Sequence, residues 1–393
     1  MASDMTNPEA EALPAPEEKK MEIHKLKPVH NWRDFLKEIG TIVIGVCIAL
    51  AGLAGNAHAA PSREGDFAVR NFTFRSGETL DTLRLHYTLL GKPVRDRAGH
   101  ITNAVMILHG TSSDGHQFFQ PQFSDVLFAS GGLLDPEKYF IVLPDSIGHG
   151  KSSKPSDGMH AHFPKYGYDD MVAAQYLLLT QGLHVDHLRL LLGTSMGCMH
   201  AFVWGETHPD FSDALMALAC LPVPLAGRNR IWRKLAIDAI TSDPAWEGGD
   251  YKAEPRQGLR MASAMRLMSG SAALQLQKQY PSRAAADAYA KSRTDDDLST
   301  LDANDVLYQF DASRDYDPSP ALERITAPLM WVNSADDFSD PPELGIAEQE
   351  VTRLKRGRFV LIPISDQTHG HNTHSWAAVW KDYLAELLKI SAH

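Results

Sequence analysis

Short apolar runs, each ended by glycine, aspartate or histidine, alternate along most of this chain with stretches of helical periodicity. Ala104–Leu108 (AVMIL), Tyr139–Leu143, Leu188–Leu192 (Arg189 aside) and Ala214–Leu221 have the length and continuity of strands buried on both faces. Leu329–Val332 and Phe359–Ile362 repeat that signal near the C-terminus. Between the second and third runs, Asp169–Gln181 carries Met171, Val172, Tyr176, Leu178 and Leu179 at helical spacing. A helix from Met196 to about Thr207 follows the third, and Ser375–Leu388 closes the chain as an amphipathic helix. Upstream, Phe67–Phe74 and Leu83–Gly91 are strand-like around turn chemistry at Arg75–Glu78, which predicts an antiparallel pair. The alternation predicts an α/β fold with a mostly parallel, doubly wound sheet. From Pro222 to about Asp317 the strand signal stops, and pieces rich in Met, Arg and Ala predict a helical lid (222–317) between two core segments, 60–221 and 318–393.

The N-terminus has a different character. Residues 1–38 begin with Ala, Pro and Glu and have little to bury, as expected of a disordered leader. Lys25, Lys27, Arg33 and Lys37 precede the apolar run Ile39–Leu53, which is as long as a signal-peptide core and shorter than the ~20 residues that span a bilayer. Ala57-His58-Ala59 is a small-x-small cleavage signal. The expectation for 39–59 is a signal peptide removed after Ala59, giving an exported protein, periplasmic or secreted, that starts at Ala60; an uncleaved membrane anchor is the alternative.

Composition changes this picture in three ways. A chain of 393 residues, 44% hydrophobic, is long enough for one large α/β domain with an insertion, alone or as a homodimer. A net charge of -11 with no basic run argues against a nucleic-acid partner. The three cysteines, Cys47, Cys198 and Cys220, form neither a disulfide framework nor a zinc-ligand spacing, so Cys198 and Cys220 are expected as small buried hydrophobes.

The chemistry concentrates after the third parallel strand. Gly193-Thr194-Ser195-Met196-Gly197 is a G-x-S-x-G elbow, where the chain turns from strand to helix and exposes the Ser195 hydroxyl. A serine hydroxyl needs a base to take its proton, and an imidazole base needs a carboxylate to fix its tautomer. Both follow in the chain, each after a strand. Asp336 and Asp337 lie beyond Leu329–Val332, and His369, His371 and His374 lie beyond Phe359–Ile362. Asp337 is preferred because its distance to Pro341 matches a D-x-x-x-P acid loop, with Asp336 as the alternative; His371 is preferred because Gly370 precedes it and a helix follows. The backbone N–H groups of Met196 and Thr111 are the expected oxyanion donors. His369-x-His371-x-x-His374 fits no standard zinc motif, and Gly148-His149-Gly150 lacks the lysine-ended phosphate-loop spacing, so neither a metal nor a cofactor is expected.

With these residues placed, the chain from about Phe67 onward resembles the α/β-hydrolase superfamily and, within it, the homoserine O-acetyltransferase family. The resemblance is carried by Phe163-Pro164, Asp170–Gln175, Gly193–Gly197, Asp243–Tyr251 with Gly258-Leu259, and Gly370-His371. It implies an α/β-hydrolase fold with a helical lid, and ping-pong transfer of an acyl group through Ser195. The family holds its amino-acid acceptor with an Arg and a Tyr in the lid, and those places fall here on Ser263 and Gly270, with Arg266 nearby. The expectation is therefore a serine hydrolase of esterase type acting on a small acyl substrate. An acyltransferase with the same triad is the alternative, and a non-catalytic binding protein is the third reading.

Overall fold

The computed structural model of the protein describes residues 62–392, and the leader, the apolar run and the cleavage site lie outside them. The strands are β1 (Arg63–Thr73), β2 (Thr79–Leu90), β3 (Ala104–Leu108), β4 (Phe140–Pro144), β5 (Leu190–Thr194), β6 (Leu215–Leu218), β7 (Leu329–Ser334) and β8 (Gly357–Ile362). They form one sheet in the order β1-β2-β4-β3-β5-β6-β7-β8. β1 pairs antiparallel with β2, and β2 with β4; from β4 to β8 every pair is parallel. The helices are α1 (Pro121–Leu127), α2 (Tyr168–Leu177), α3 (Met196–Thr207), α4 (Gly227–Ser242), α5 (Arg256–Ser269), α6 (Ala273–Gln279), α7 (Arg283–Thr300), α8 (Ala303–Asp311), α9 (Ile346–Glu350) and α10 (Ala377–Ile390).

Every residue of β3 to β7 is buried, because helices cover both faces of the sheet. Alternate residues serve opposite cores. Met106, Leu191 and Trp331 pack with Phe202 and Trp204 of α3, whereas Ile107, Leu192 and Val332 pack with Phe123 of α1 and Trp380 of α10. The chain visits β4 on one side of β3 and then crosses to β5 on the other. That reversal leaves a crevice at the C-terminal ends of β3 and β5, where open α/β sheets bind ligands.

The expected elements differ from the observed ones mainly at their ends. The strand expected over Leu188–Leu192 starts at Leu190, because the Arg189 side chain turns away to the Leu388 carbonyl and the Ser391 hydroxyl at the end of α10. The strand expected to reach Leu221 stops at Leu218, since Ala219 takes a left-handed conformation with φ 65°. Between β6 and β7 the chain forms α4 to α8, which enclose an apolar cluster of their own that includes Trp232, Ile240, Leu259, Val306 and Phe310. Among the described residues, no helix is long and apolar enough to cross a membrane.

The cysteine expectation needs correction. Cys198 and Cys220 are indeed buried, but they are joined by a disulfide, their Cα atoms 5.9 Å apart. The first turn of α3 lies against the end of β6, a contact that a separation of 22 residues in the sequence does not reveal. In the chain-entropy model a loop of this size contributes about 3 kcal/mol of stability. Urea unfolding should therefore lose roughly that amount in reductant or in the Cys198→Ala/Cys220→Ala variant; unchanged unfolding would mean that the two sulfurs are not linked in solution.

Candidate active site

β5 ends at Thr194 and α3 begins at Met196, so Ser195 alone makes the turn, with φ 53° and ψ -111°. A non-glycine residue in such a conformation costs on the order of 1–3 kcal/mol, and the flanking backbone enforces it. A Cβ on Gly193 would lie 1.9 Å from the Gly197 carbonyl oxygen, and one on Gly197 would lie 2.2 Å from the Leu108 carbonyl oxygen. Gly193 thus lets α3 fold back on the end of β5, and Gly197 lets it start directly against β3. The Ser195 N–H donates to the Leu218 carbonyl at 2.8 Å, which ties the elbow to β6.

The loops after β7 and β8 bring the acid and the base to this point. Ser195 Oγ donates to His371 Nε2 at 2.8 Å, and His371 Nδ1 donates to Asp337 Oδ2 at 2.8 Å. Asp337 Oδ1 accepts the amides of Ser339 and Asp340 at 2.7 and 3.1 Å, which fixes the carboxylate. The neighbouring Asp336 turns the other way. It accepts the Thr368 hydroxyl at 2.9 Å and the Gly370 amide at 3.1 Å, and so braces the loop that carries the imidazole. Gly370 has φ 60°, and a Cβ there would lie 2.6 Å from the Ser271 carbonyl oxygen of the lid.

Burial opposes charge throughout this cluster. It works to lower the His371 pKa, but the charge and hydrogen bond of Asp337, and then the charge of Asp340, outweigh it and raise the imidazole above 6.5. Burial likewise works to raise Asp337, yet His371 and the two amides bring the carboxylate below its usual value. The other two candidate histidines stay apart from this chain. His369 stacks on Trp376 at 3.8 Å, and burial lowers its pKa. His374 accepts from or donates to Ser375 Oγ at 3.1 Å, and burial, followed by the charge of His371, pushes it down to about 3.

The loop after β3 faces Ser195 from the opposite side. Gln117 accepts the Gly110 amide at 3.1 Å and donates to Thr194 Oγ1 at 3.0 Å, while His109 donates to the Gly110 carbonyl and accepts the Ser146 amide. These bonds hold Thr111 on the wall of a cavity of about 350 Å³ that also includes Ser195 and His371. Met196 is the first residue of α3, so its N–H is one of the amides left without an intrahelical acceptor. The Thr111 and Ser112 hydroxyls are buried at this wall without hydrogen-bond partners.

The lid completes the enclosure and is fastened to the base loop. Asn372 Nδ2 donates to the Gly270 carbonyl at 2.8 Å, and Gln275 Nε2 donates to the carbonyls of Asp366 and Thr368 at 2.8 and 3.0 Å. At the place of the acceptor pair, Ser263 Oγ and Arg266 both donate to Asp297, so the Arg266 guanidinium is already neutralised. Among the cavity residues not singled out in the sequence are Asn229, Arg233 and Asp340. A signal existed for the first two, because Asn229, Arg233, Ala236 and Ile240 occupy the buried stripe of α4, where a cation is out of place.

This fold and this constellation define an α/β hydrolase, and the chain belongs to that family: the family model described as "alpha/beta hydrolase fold" matches residues 103–363. Among curated relatives, a probable acyltransferase of Methanothermobacter thermautotrophicus is 29% identical over 281 residues, covering 71% of this chain and 84% of its own. A homoserine O-acetyltransferase of Geobacter sulfurreducens is 26% identical, covering 79% and 94%. Among solved structures, an acetylester hydrolase from Corynebacterium glutamicum superposes with a TM-score of 0.73 at 20% identity, covering 83% of this chain and 96% of its own. A homoserine O-acetyltransferase from Bacillus anthracis gives 0.73 at 21%, covering 83% and 97%.

The raised imidazole can be measured directly. In an NMR titration of His371, the midpoint should lie above 6.5 and should fall in Asp337→Asn, because the carboxylate stabilises the protonated ring. A midpoint below 6.5 in the intact protein would show that burial wins.

Proposed function

We propose that the protein is a serine hydrolase of esterase type, which cleaves an ester or related acyl substrate through an acyl-enzyme on Ser195. The observation that carries this reading is the hydrogen-bonded chain Ser195–His371–Asp337, with both bonds at 2.8 Å, on the wall of the lidded cavity. As Ser195 Oγ attacks the acyl carbonyl, His371 Nε2 takes its proton, and Asp337 holds the ring and stabilises the imidazolium. The Thr111 and Met196 N–H groups receive the oxyanion. Collapse expels the alkoxide, which takes the proton from His371. Water then adds to the acyl-enzyme with His371 as base, and collapse of that intermediate releases the acid as His371 returns the proton to Ser195 Oγ. The chain's own side chains and amides supply each step.

Transfer of the acyl group to an alcohol, as the names of the homoserine O-acetyltransferase relatives suggest, is the second reading. The lid favours water. A zwitterionic acceptor must lose hydration on entry, and at the family's acceptor position Ser263 and Arg266 are both occupied by Asp297. Ser195→Ala should lower ester turnover by several orders of magnitude, on the order of 10⁶ for a triad nucleophile, and should abolish fluorophosphonate labelling. The wild type should hydrolyse 4-nitrophenyl acetate with a kcat/KM about three orders of magnitude above that for acetyl transfer from acetyl-CoA to L-homoserine. Efficient homoserine acetylation would overturn the hydrolase reading in favour of the transferase, and residual activity above a few per cent in Ser195→Ala would overturn both.

The proposal includes export to the periplasm or beyond, with cleavage after Ala59. A buried disulfide between Cys198 and Cys220 supports it, since such bonds persist in oxidising compartments. Mass spectrometry of protein from the native cell should find Ala60 at the mature N-terminus; an intact leader on protein from the cytosol would count against it.

A further inference from the structure

Arg233 is a buried cation of the cavity that the proposed chemistry leaves unused. It is 3% exposed and lines the same cavity as Ser195. Its Nε donates to Asn229 Oδ1 at 3.0 Å, Nη1 has no hydrogen-bond partner, and no carboxylate lies within ion-pair distance among the described residues. A buried guanidinium is costly unless an anion answers it, because burial strips its hydration and the low dielectric returns nothing without a partner. Burial already presses its pKa below the usual guanidinium value, against the influence of Tyr168 and Asp340. The acids nearby do not fill the role. Asp297 is taken by Arg266 and Ser263. Asp340 accepts from Asn229 through Oδ1, faces His371 Nδ1 at 3.7 Å through Oδ2, and is pushed up to about 7 by burial and then by the charge of Asp337.

The cavity also has a direction. Its exposed lining includes Gln279, Arg293 and Trp376, whereas Trp232, Arg233 and Phe310 form a buried cluster in which the Arg233 guanidinium and the Phe310 ring both pack on Trp232. The leaving alcohol must depart, and water must enter, through the exposed part. The buried cluster therefore receives the far end of the acyl group. Arg293 at the mouth makes no ion pair among the described residues and adds a positive charge along the path of entry.

We infer that Arg233 is a carboxylate-binding residue for the acyl chain, and that the preferred substrates are half-esters of short dicarboxylic acids, whose free carboxylate docks on Nη1 while the ester carbonyl lies at Ser195. A bidentate guanidinium–carboxylate bond would supply the missing anion, with the protonated form of Asp340 as a further donor beside it. This inference rests on the serine-hydrolase reading and deepens it.

The test compares 4-nitrophenyl hemiglutarate with 4-nitrophenyl valerate, an uncharged acyl chain of the same length. Wild-type protein should favour the hemiglutarate by at least tenfold in kcat/KM, mainly through KM. Arg233→Met should remove that preference, and Arg233→Lys should keep part of it. A third ester, 4-acetoxybenzoate against 4-nitrophenyl acetate, moves the carboxylate to the alcohol side. A preference there and none for the hemiglutarate overturns the acyl-side assignment. A readout independent of turnover uses the Ser195→Ala protein, whose melting temperature free glutarate should raise, and the Ser195→Ala/Arg233→Met protein, where it should not. Brisk valerate hydrolysis with no gain for hemiglutarate and no glutarate effect overturns the inference and leaves the hydrolase reading standing. No turnover of any ester, with Arg233-dependent binding of glutarate, overturns the hydrolase reading and leaves the carboxylate site standing.

Discussion

The close approach of α3 to β3 is the constraint on which the site depends. The helix meets β3 through bare backbone at Gly197 and meets β5 through Gly193, and these contacts let a single residue, Ser195, complete the turn in a conformation that an L-amino acid avoids. Everything else is set by where that residue then stands. β6 fastens it through the Leu218 carbonyl, and the loop after β3 presents Thr111 from across the crevice. The acid and base arrive at the ends of β7 and β8 of the same parallel sheet, with β6 between them and β5, so the geometry of three side chains reduces to the register of four adjacent strands.

The core of this arrangement was legible in the amino-acid sequence for a physical reason. Strands covered on both faces leave continuous apolar runs, and a steric elbow leaves glycines on either side of its serine. Strand ends were less legible, because they depend on single residues such as Arg189, whose side chain reaches α10, and Ala219, whose backbone leaves the extended region. Of the adjacent aspartates, the spacing to Pro341 favoured Asp337, but spacing does not say what the other one does. Asp336 and Asp337 have the same chemistry, and only the twist of their loop sends one to Thr368 and the other to His371.

Two features lay beyond reach of the sequence pattern for the same reason, that they depend on contacts between distant segments. The Cys198–Cys220 bond requires the first turn of α3 to lie beside the end of β6. That Arg233 meets no carboxylate at ion-pair distance among the described residues requires that Asp340 stay out of range and that Asp297 be taken by another arginine. Local periodicity can show that a cation sits on a buried stripe of α4, but whether a partner meets it there is a property of the assembled lid and acid loop.

The bonds from Asn372 to Gly270 and from Gln275 to Asp366 and Thr368 give the lid a second role. The polar contacts that seat the helices over the cavity are made to the loop that orients the imidazole, so the walls that choose a substrate and the group that moves its proton share one scaffold. Exchanging this insertion for that of another α/β hydrolase would therefore alter catalytic geometry along with selectivity, and a graft would need to carry its matching histidine loop with it.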